Sequence, residues 1–241
     1  MHENRWAERH SAALTELLRS DQSAAATWLN HHTVVQTLTA CVPMNQFASV
    51  GIDGTLLRLI VGRPFPPRTS ADLVLPILLA RTPWLRVGLV GGTPEANARA
   101  RVAIAGMVSD GSEVCYSIDG YSGLTASEVP AGLDILIVGL GAPLQDQFAS
   151  ELIRLPNSPR LVVTCGGWLD QVSVPTYYPP WAYRLKLNWL VRLIREPRRL
   201  WRRYSIDAAI ALRLAPRLRR EVVRLPGFEA IMGLDRVVTR Q

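Results

Sequence analysis

Three times in this 241-residue chain a short run of Val, Ile and Leu, with almost no polar interruption, ends in glycine. WLRVGLVGG, from Trp84 to Gly92, passes into TPEANARARVAIAGMVS, a segment of helical periodicity that Thr93 and Pro94 are suited to start. LDILIVGLGAP, from Leu133 to Pro143, passes into the helical LQDQFASELIRL, and PRLVVTCGG, from Pro159 to Gly167, is the third run. A strand with one wet face alternates apolar and polar residues. Continuous apolar runs instead require burial on both faces, as in parallel strands between two layers of helix. The chain therefore reads as α/β, a Rossmann-like parallel sheet with helices on both faces.

The flanks differ from this body. Between Asn4 and Leu29, Ala13, Leu14, Leu17 and Leu18 fall at helical spacing, which predicts one or two helices packed on the surface. From Trp189 onward the strand pattern stops. NWLVRLIREPRRLWRRYSIDAAIALRLAPRLRREVVRL interleaves Trp, Leu and Ile with arginine, and Pro197 and Pro216 divide it into short helices. The expected organisation is a catalytic Rossmann-like domain over residues 1–188 and a basic, amphipathic, helical appendage over 189–241.

Charge follows the same division. The net charge is +7, yet the stretch from Arg184 to Arg224 holds thirteen Lys and Arg against three acids, a local +10 that leaves −3 for the remainder. The body need not bind a polyanion. With 48% hydrophobic and 20% charged residues, the chain is neither disordered nor a membrane bundle. No run approaches the roughly 18 apolar residues of a membrane span, and the charged start MHENRWAERHSAALTELLRS lacks a signal peptide's apolar core. Cys41, Cys115 and Cys165 are scattered, without CxxC spacing, which predicts a reducing, cytoplasmic setting and core roles.

Ligands of open parallel sheets collect at the carboxyl ends of the strands. Gly91 and Gly92, the Gly139-to-Pro143 turn with Gly141, and Gly166 and Gly167 all fall there, where glycine lets a phosphate approach the backbone. Glycine also serves simply to turn a chain, so each pair alone is ambiguous. Neither GxGxxG nor GxxxxGK[ST] occurs, which disfavours dehydrogenase and NTPase readings. Asp53, in SVGIDGTLL, is placed either to take a proton from a hydroxyl or to cap the following helix. Asp119, Gly120, Tyr121 and Gln145 adjoin turns where an amide or carboxylate can bind sugar hydroxyls, or merely shape the turn. His2, His10, His31 and His32 form no HxxxH or HExxH arrangement, and no Asp-x-Asp pair occurs, so neither metal nor another cofactor is expected. The Arg/Trp-rich segment suits an anionic membrane surface, a diphosphate, or a helix that packs its apolar side on the core. RNA binding is disfavoured, because no basic aromatic β-sheet motif accompanies it.

Taken in order, Asn30 opening NHHTVV, IDGTLLRLIVGRPFPPRTSADL, VGLVGGTPE, IDGYSG, ILIVGLGAPLQDQF, VVTCGGWLD and NWLVRLIREPRRLWRRY resemble the WecG/TagA/CpsF family, glycosyltransferase family 26. The likeness runs from about Thr27 to Tyr204. It implies an inverting, metal-independent transferase that moves a sugar from a UDP-sugar donor to a polyprenyl-diphosphate-linked acceptor during bacterial surface polysaccharide synthesis. By the same likeness Asp53 is the catalytic base, with Asn30 and Gln145 in the same cleft. Gly91, Gly92, Asp119, Gly120, Tyr121, Gly141, Pro143, Gly166 and Gly167 line the donor pocket, and Arg192, Arg199 and Arg202 reach the acceptor diphosphate. Self-association and a peripheral position on the inner face of the plasma membrane are also implied. VPTYYPP stands where the family has a Lys-Arg-Ala-Pro stretch, Asn188 stands in place of a glutamate, and Asp146 follows Gln145 where glutamate is usual. A non-catalytic, membrane-associated binding or scaffold homologue is the alternative these departures leave open.

Overall fold

Burial on both faces has the expected outcome: the apolar runs are strands of one all-parallel sheet. The computed structural model describes residues 2–62, 68–174, 179, 182, 188–195, 197–222 and 224. Its strands are β1 (Ala24–Leu29), β2 (Phe47–Ile52), β3 (Arg86–Gly91), β4 (Glu113–Ile118), β5 (Ile135–Gly139) and β6 (Leu161–Thr164), side by side in the order β2-β1-β6-β5-β3-β4. Among the described residues the helices are α1 (His2–Arg19), α2 (His31–Thr39), α3 (Thr55–Val61), α4 (Ala71–Arg81), α5 (Pro94–Ala105), α6 (Leu144–Leu152) and α7 (Trp168–Val172). They are followed by α8 (Asn188–Arg195), α9 (Pro197–Arg213) and α10 (Ala215–Val222).

Side chains alternate across the sheet and feed two cores. Leu29, Val50, Leu136, Val138 and Val162 meet α2, α3 and α6 on one face. Trp28, Leu89, Ile135, Ile137 and Val163 meet α1, α4, α5 and α7 on the other. Helix α1 contributes Ala7, Leu14 and Leu18, a one-sided stripe that explains its periodicity.

The basic C-terminal helices join the first of these cores. Helix α9 packs on α2, and α10 on α3. Leu200, Ala211, Leu218 and Val222 are buried, the last three in the cluster that covers the sheet. The arginines lie mainly outward from this packing, so α9 and α10 serve at once as a core layer and as a charged surface. Among the described residues no helix is long and apolar enough to cross a membrane.

Candidate active site

Neighbouring strands β1 and β6 send their following helices to opposite faces, α2 to one core and α7 to the other. The loops part at such a point and leave a crevice beyond the carboxyl ends of the strands. Here the crevice is a cleft of about 690 Å³, and every strand or the turn that follows it supplies part of its wall. That volume suits a nucleotide-sized ligand.

At the β2/β1 end the wall is made of side chains. Asp53 follows β2 directly, and its N–H donates to the Leu29 carbonyl at 2.7 Å, which ties the tips of the two strands together. The first helical turn after it is capped at Gly54, without a side-chain hydrogen bond, so Asp53 is not the N-cap of α3. Its carboxylate instead receives Arg68 Nε at 3.2 Å, while Arg68 also reaches Asp72 at 3.4 Å. Asn30 caps α2: its Oδ1 accepts from the N–H groups of His32 and Thr33, both at 3.0 Å, and Thr33 Oγ1 accepts from the Asn30 N–H at 2.7 Å. This reciprocal box accounts for the buried Asn30, which lines the cleft, without invoking catalysis.

Helix α9 closes the same end. Arg202, Arg203 and Asp207 line the cleft, and two histidines of α2 bind the helix in place. The Arg203 carbonyl accepts from His31 Nε2 at 3.0 Å. Asp207 accepts from His32 Nδ1 at 2.6 Å. Burial pushes the His31 imidazole down to about 4. Burial also lowers His32, and the Arg203 charge adds to that, against the opposing pull of Asp207.

The β6-β5-β3-β4 end is built on glycine turns, with Tyr121, Asp170 and Gln171 beside them. Gly92, Gly120, Gly139, Gly141, Gly166 and Gly167 all line it. Gly91 has φ +127°, and a Cβ there would stand 2.4 Å from the Gly139 carbonyl oxygen, so only glycine lets β3 and β5 end this close together. Gly141 differs: its φ is +76° and no atom lies within 4 Å of its would-be Cβ, so the turn faces open space. Gln145 is buried and its Oε1 accepts from the Gly166 N–H at 3.1 Å, which holds the β6 turn against α6. Behind it Asp146 is fully buried, accepts from Thr27 Oγ1 at 2.8 Å, and is pushed up to about 6 by burial.

Of the residues expected in the site, the cleft therefore brings together Asp53, Asn30, Gln145, Gly92, Gly120, Tyr121, Gly141, Gly166, Gly167 and Arg202. Gly91 and Pro143 support the turns and are not on the lining. Asp119 faces the neighbouring groove beside α5, and its Oδ1 accepts the Tyr121 N–H at 2.8 Å, a turn-forming contact. The side chains of Arg192 and Arg199, and most of VPTYYPP, lie outside the described residues. Among the described residues no group of three or more His, Cys, Asp or Glu is arranged to hold a metal ion.

His32, Asp72, Asp170, Arg203 and Asp207 also line the cleft and had not been singled out. Asp72 stands four residues after Arg68, and Asp170 ends the GGWLD segment, so both had a local signal. The His32–Asp207 pair spans 175 residues and has none.

The sequence model of the glycosyl transferase WecG/TagA/CpsF family matches residues 5–224. A UDP-Gal:alpha-D-GlcNAc-diphosphoundecaprenol beta-1,4-galactosyltransferase of Shigella boydii is 28% identical over 130 residues, covering 51% of this chain and 54% of that protein. The match thus spans about half the length of that relative.

Proposed function

Because this chain belongs to the WecG/TagA/CpsF family of glycosyl transferases, we propose that it transfers a hexosyl or N-acetylhexosaminyl group from a UDP-sugar to a polyprenyl-diphosphate-linked sugar. The observation that carries this reading is the division of the cleft, a backbone-lined end suited to a diphosphate joined to an end with a carboxylate beside cationic side chains.

In the proposed reaction the donor diphosphate lies along the Gly92, Gly120, Gly141 and Gly166 turns. Asp53 accepts the proton of the acceptor hydroxyl, whose oxygen then attacks the anomeric carbon as the bond to the UDP oxygen breaks. One displacement inverts the anomeric configuration. The charge that develops on the departing diphosphate is met by the backbone N–H groups of these turns, without a metal, while Arg202 on α9 faces the acceptor diphosphate at the other end. The Arg68 ion pair holds the Asp53 carboxylate in one orientation.

With a lipid-linked acceptor, the proposed setting is the cytoplasmic face of the membrane. Support comes from Trp189, Ile194 and Trp201, all exposed on α8 and α9 among arginines, with Ile194 69% and Trp201 56% accessible. Such a surface suits headgroup depth.

The test is incubation of the full chain with a panel of UDP-sugars and a sugar-diphospho-lipid in detergent, with and without EDTA. UDP release matched by lipid-linked product, unchanged by EDTA, is the expected result. No product across the panel from folded protein would move the assignment to a non-catalytic homologue.

A further inference from the structure

His32 stands on the cleft wall at the side-chain end, two residues after Asn30, with a quarter of its side chain accessible. Its Nδ1 lies 2.6 Å from Asp207 Oδ2, and Asp207 is only 3% exposed. A carboxylate can only accept, so the proton between them belongs to Nδ1. In the neutral ring, Nε2 then carries a lone pair and no proton. Among the described residues, Nε2 has no protein partner. Burial and the neighbouring Arg203 and Arg202 charges lower the imidazole's proton affinity, while Asp207 alone among the facing groups raises it. The ring is therefore held neutral and oriented, a hydrogen-bond acceptor on α2 facing a wall where Arg202 and Arg203 of α9 can only donate.

We propose that His32, with its tautomer fixed by Asp207, binds a hydroxyl group of the acceptor sugar through Nε2 and so selects which sugar the cleft accepts. A phosphate offers no hydrogen to such a lone pair at neutral pH, whereas a sugar hydroxyl does. The acceptor rather than the donor is assigned because His32 lies at the β2/β1 end with Asp53, with β6 between that end and the Gly92, Gly120 and Gly141 turns that follow β3, β4 and β5. Asp207 acts through His32 and is a positioning residue. This assignment rests on the transferase reading above and adds a specificity determinant to it.

The experiment compares wild type, His32→Phe and His32→Gln on the full chain. The substrates are a sugar-diphospho-lipid and analogues lacking one non-nucleophilic hydroxyl at a time. Wild type is expected to lose about tenfold in kcat/KM with one of these analogues, the usual scale for one hydrogen bond. His32→Phe should lose about as much with the parent acceptor, chiefly through KM, and lose nothing more with that analogue. His32→Gln, whose carboxamide oxygen can accept, should recover part of the loss, which a merely structural role would not give. If every deoxy penalty is the same in His32→Phe as in wild type, the assignment is overturned. It is overturned equally if the coupling appears with deoxy donors. Absence of transfer by wild type overturns the transferase reading itself, a result distinct from either of these.

Discussion

The two ends of the cleft use different parts of the chain. At the β2/β1 end, Asp53, Arg68, Asp72, His32 and Asp207 form paired side chains, held by ion pairs and hydrogen bonds of 2.6 to 3.4 Å. At the other end the wall is mainly the backbone of glycine turns, braced by Gln145, with Tyr121 and Asp170 beside them. Side chains can take up a proton or change charge, which backbone cannot do. Backbone can come within contact of a large anion at many points, which bulky side chains prevent. The division predicts that substitutions at the first end change chemistry and pH dependence, and that those at the second change shape and donor binding.

The largest expected effect is at Asp53. Asp53→Asn keeps the shape and removes the proton acceptor, so kcat should fall about 10³-fold, or about 4 kcal/mol in activation free energy. Arg68 keeps Asp72 as a partner, so loss of the ion pair should cost about 1 kcal/mol or less, a melting shift of only ~2–4 °C. Steady-state kinetics alongside thermal melting checks both. Full turnover in the variant would remove the base role from Asp53.

Gly91→Ala tests the second end by shape alone. The new methyl would press on the Gly139 carbonyl at 2.4 Å, in a φ of +127° that L side chains rarely adopt. Backbone strain and overpacking together should cost roughly 4 kcal/mol, read from urea unfolding. A loss under about 1 kcal/mol would mean that β3 and β5 can part without cost, and that the turn is not rigid enough to define a ligand site.

How far these ends were legible in sequence follows from what made them. Strands β3, β5 and β6 are buried on both faces, and their continuous Val/Ile/Leu runs gave them away. β1 is equally buried, but as AAATWL it carries alanines that favour helix, and the burial that makes it a strand is a tertiary effect no local pattern records. Spacing accordingly predicts helix from Asn4 up to Leu29, whereas the helix stops at Arg19 and β1 follows. β4 is a half-exposed edge, EVCYSI, without a sustained apolar run. Glycines at strand ends marked the backbone end of the cleft directly. The side-chain end was visible only where its residues adjoin a strand tip, as Asp53 and Asn30 do. Asp207 reaches the site from α9 by packing on α2, a relation between distant segments that spacing cannot express.

Acid should act first on the side-chain end. His10 is buried beneath it, with Nε2 2.9 Å from Ser49 Oγ and its ring against Trp28, and burial holds it at about 4. His31, which ties α9 to α2, is also at about 4. In the unfolded chain both titrate near 6.5. Above that pH both states are neutral and the stability is fully present. As pH falls from 6.5 towards 4 the unfolded chain alone gains protons, so stability is lost progressively, by about 3 kcal/mol for the more buried His10. Asp146, at about 6 in the fold, gains its proton first in the folded state and opposes this loss, so the His10 share is read as the difference between wild type and His10→Gln in urea unfolding at intervals between pH 7 and 4. The same pH dependence in His10→Gln as in wild type would place the acid sensitivity elsewhere and weaken the contrast between the ends.

Gly141→Ala gives the smallest and most selective effect. Its φ of +76° should cost about 1 kcal/mol in stability for any L residue, but with no atom within 4 Å of the added carbon nothing inside the protein is displaced. The methyl instead occupies space on the ligand side of the turn, where the donor diphosphate is proposed to touch backbone. The KM for the UDP-sugar should rise about threefold to tenfold, while the KM for the lipid acceptor stays level. Gly91 and Gly141 thus separate two uses of glycine in one wall, close packing between strands and an open face toward the ligand. A rise in the acceptor KM instead would put the acceptor at the glycine end and reverse the orientation of the substrates across the sheet. Under that reversal His32 would face the donor, and its coupling would move to the donor hydroxyls as well.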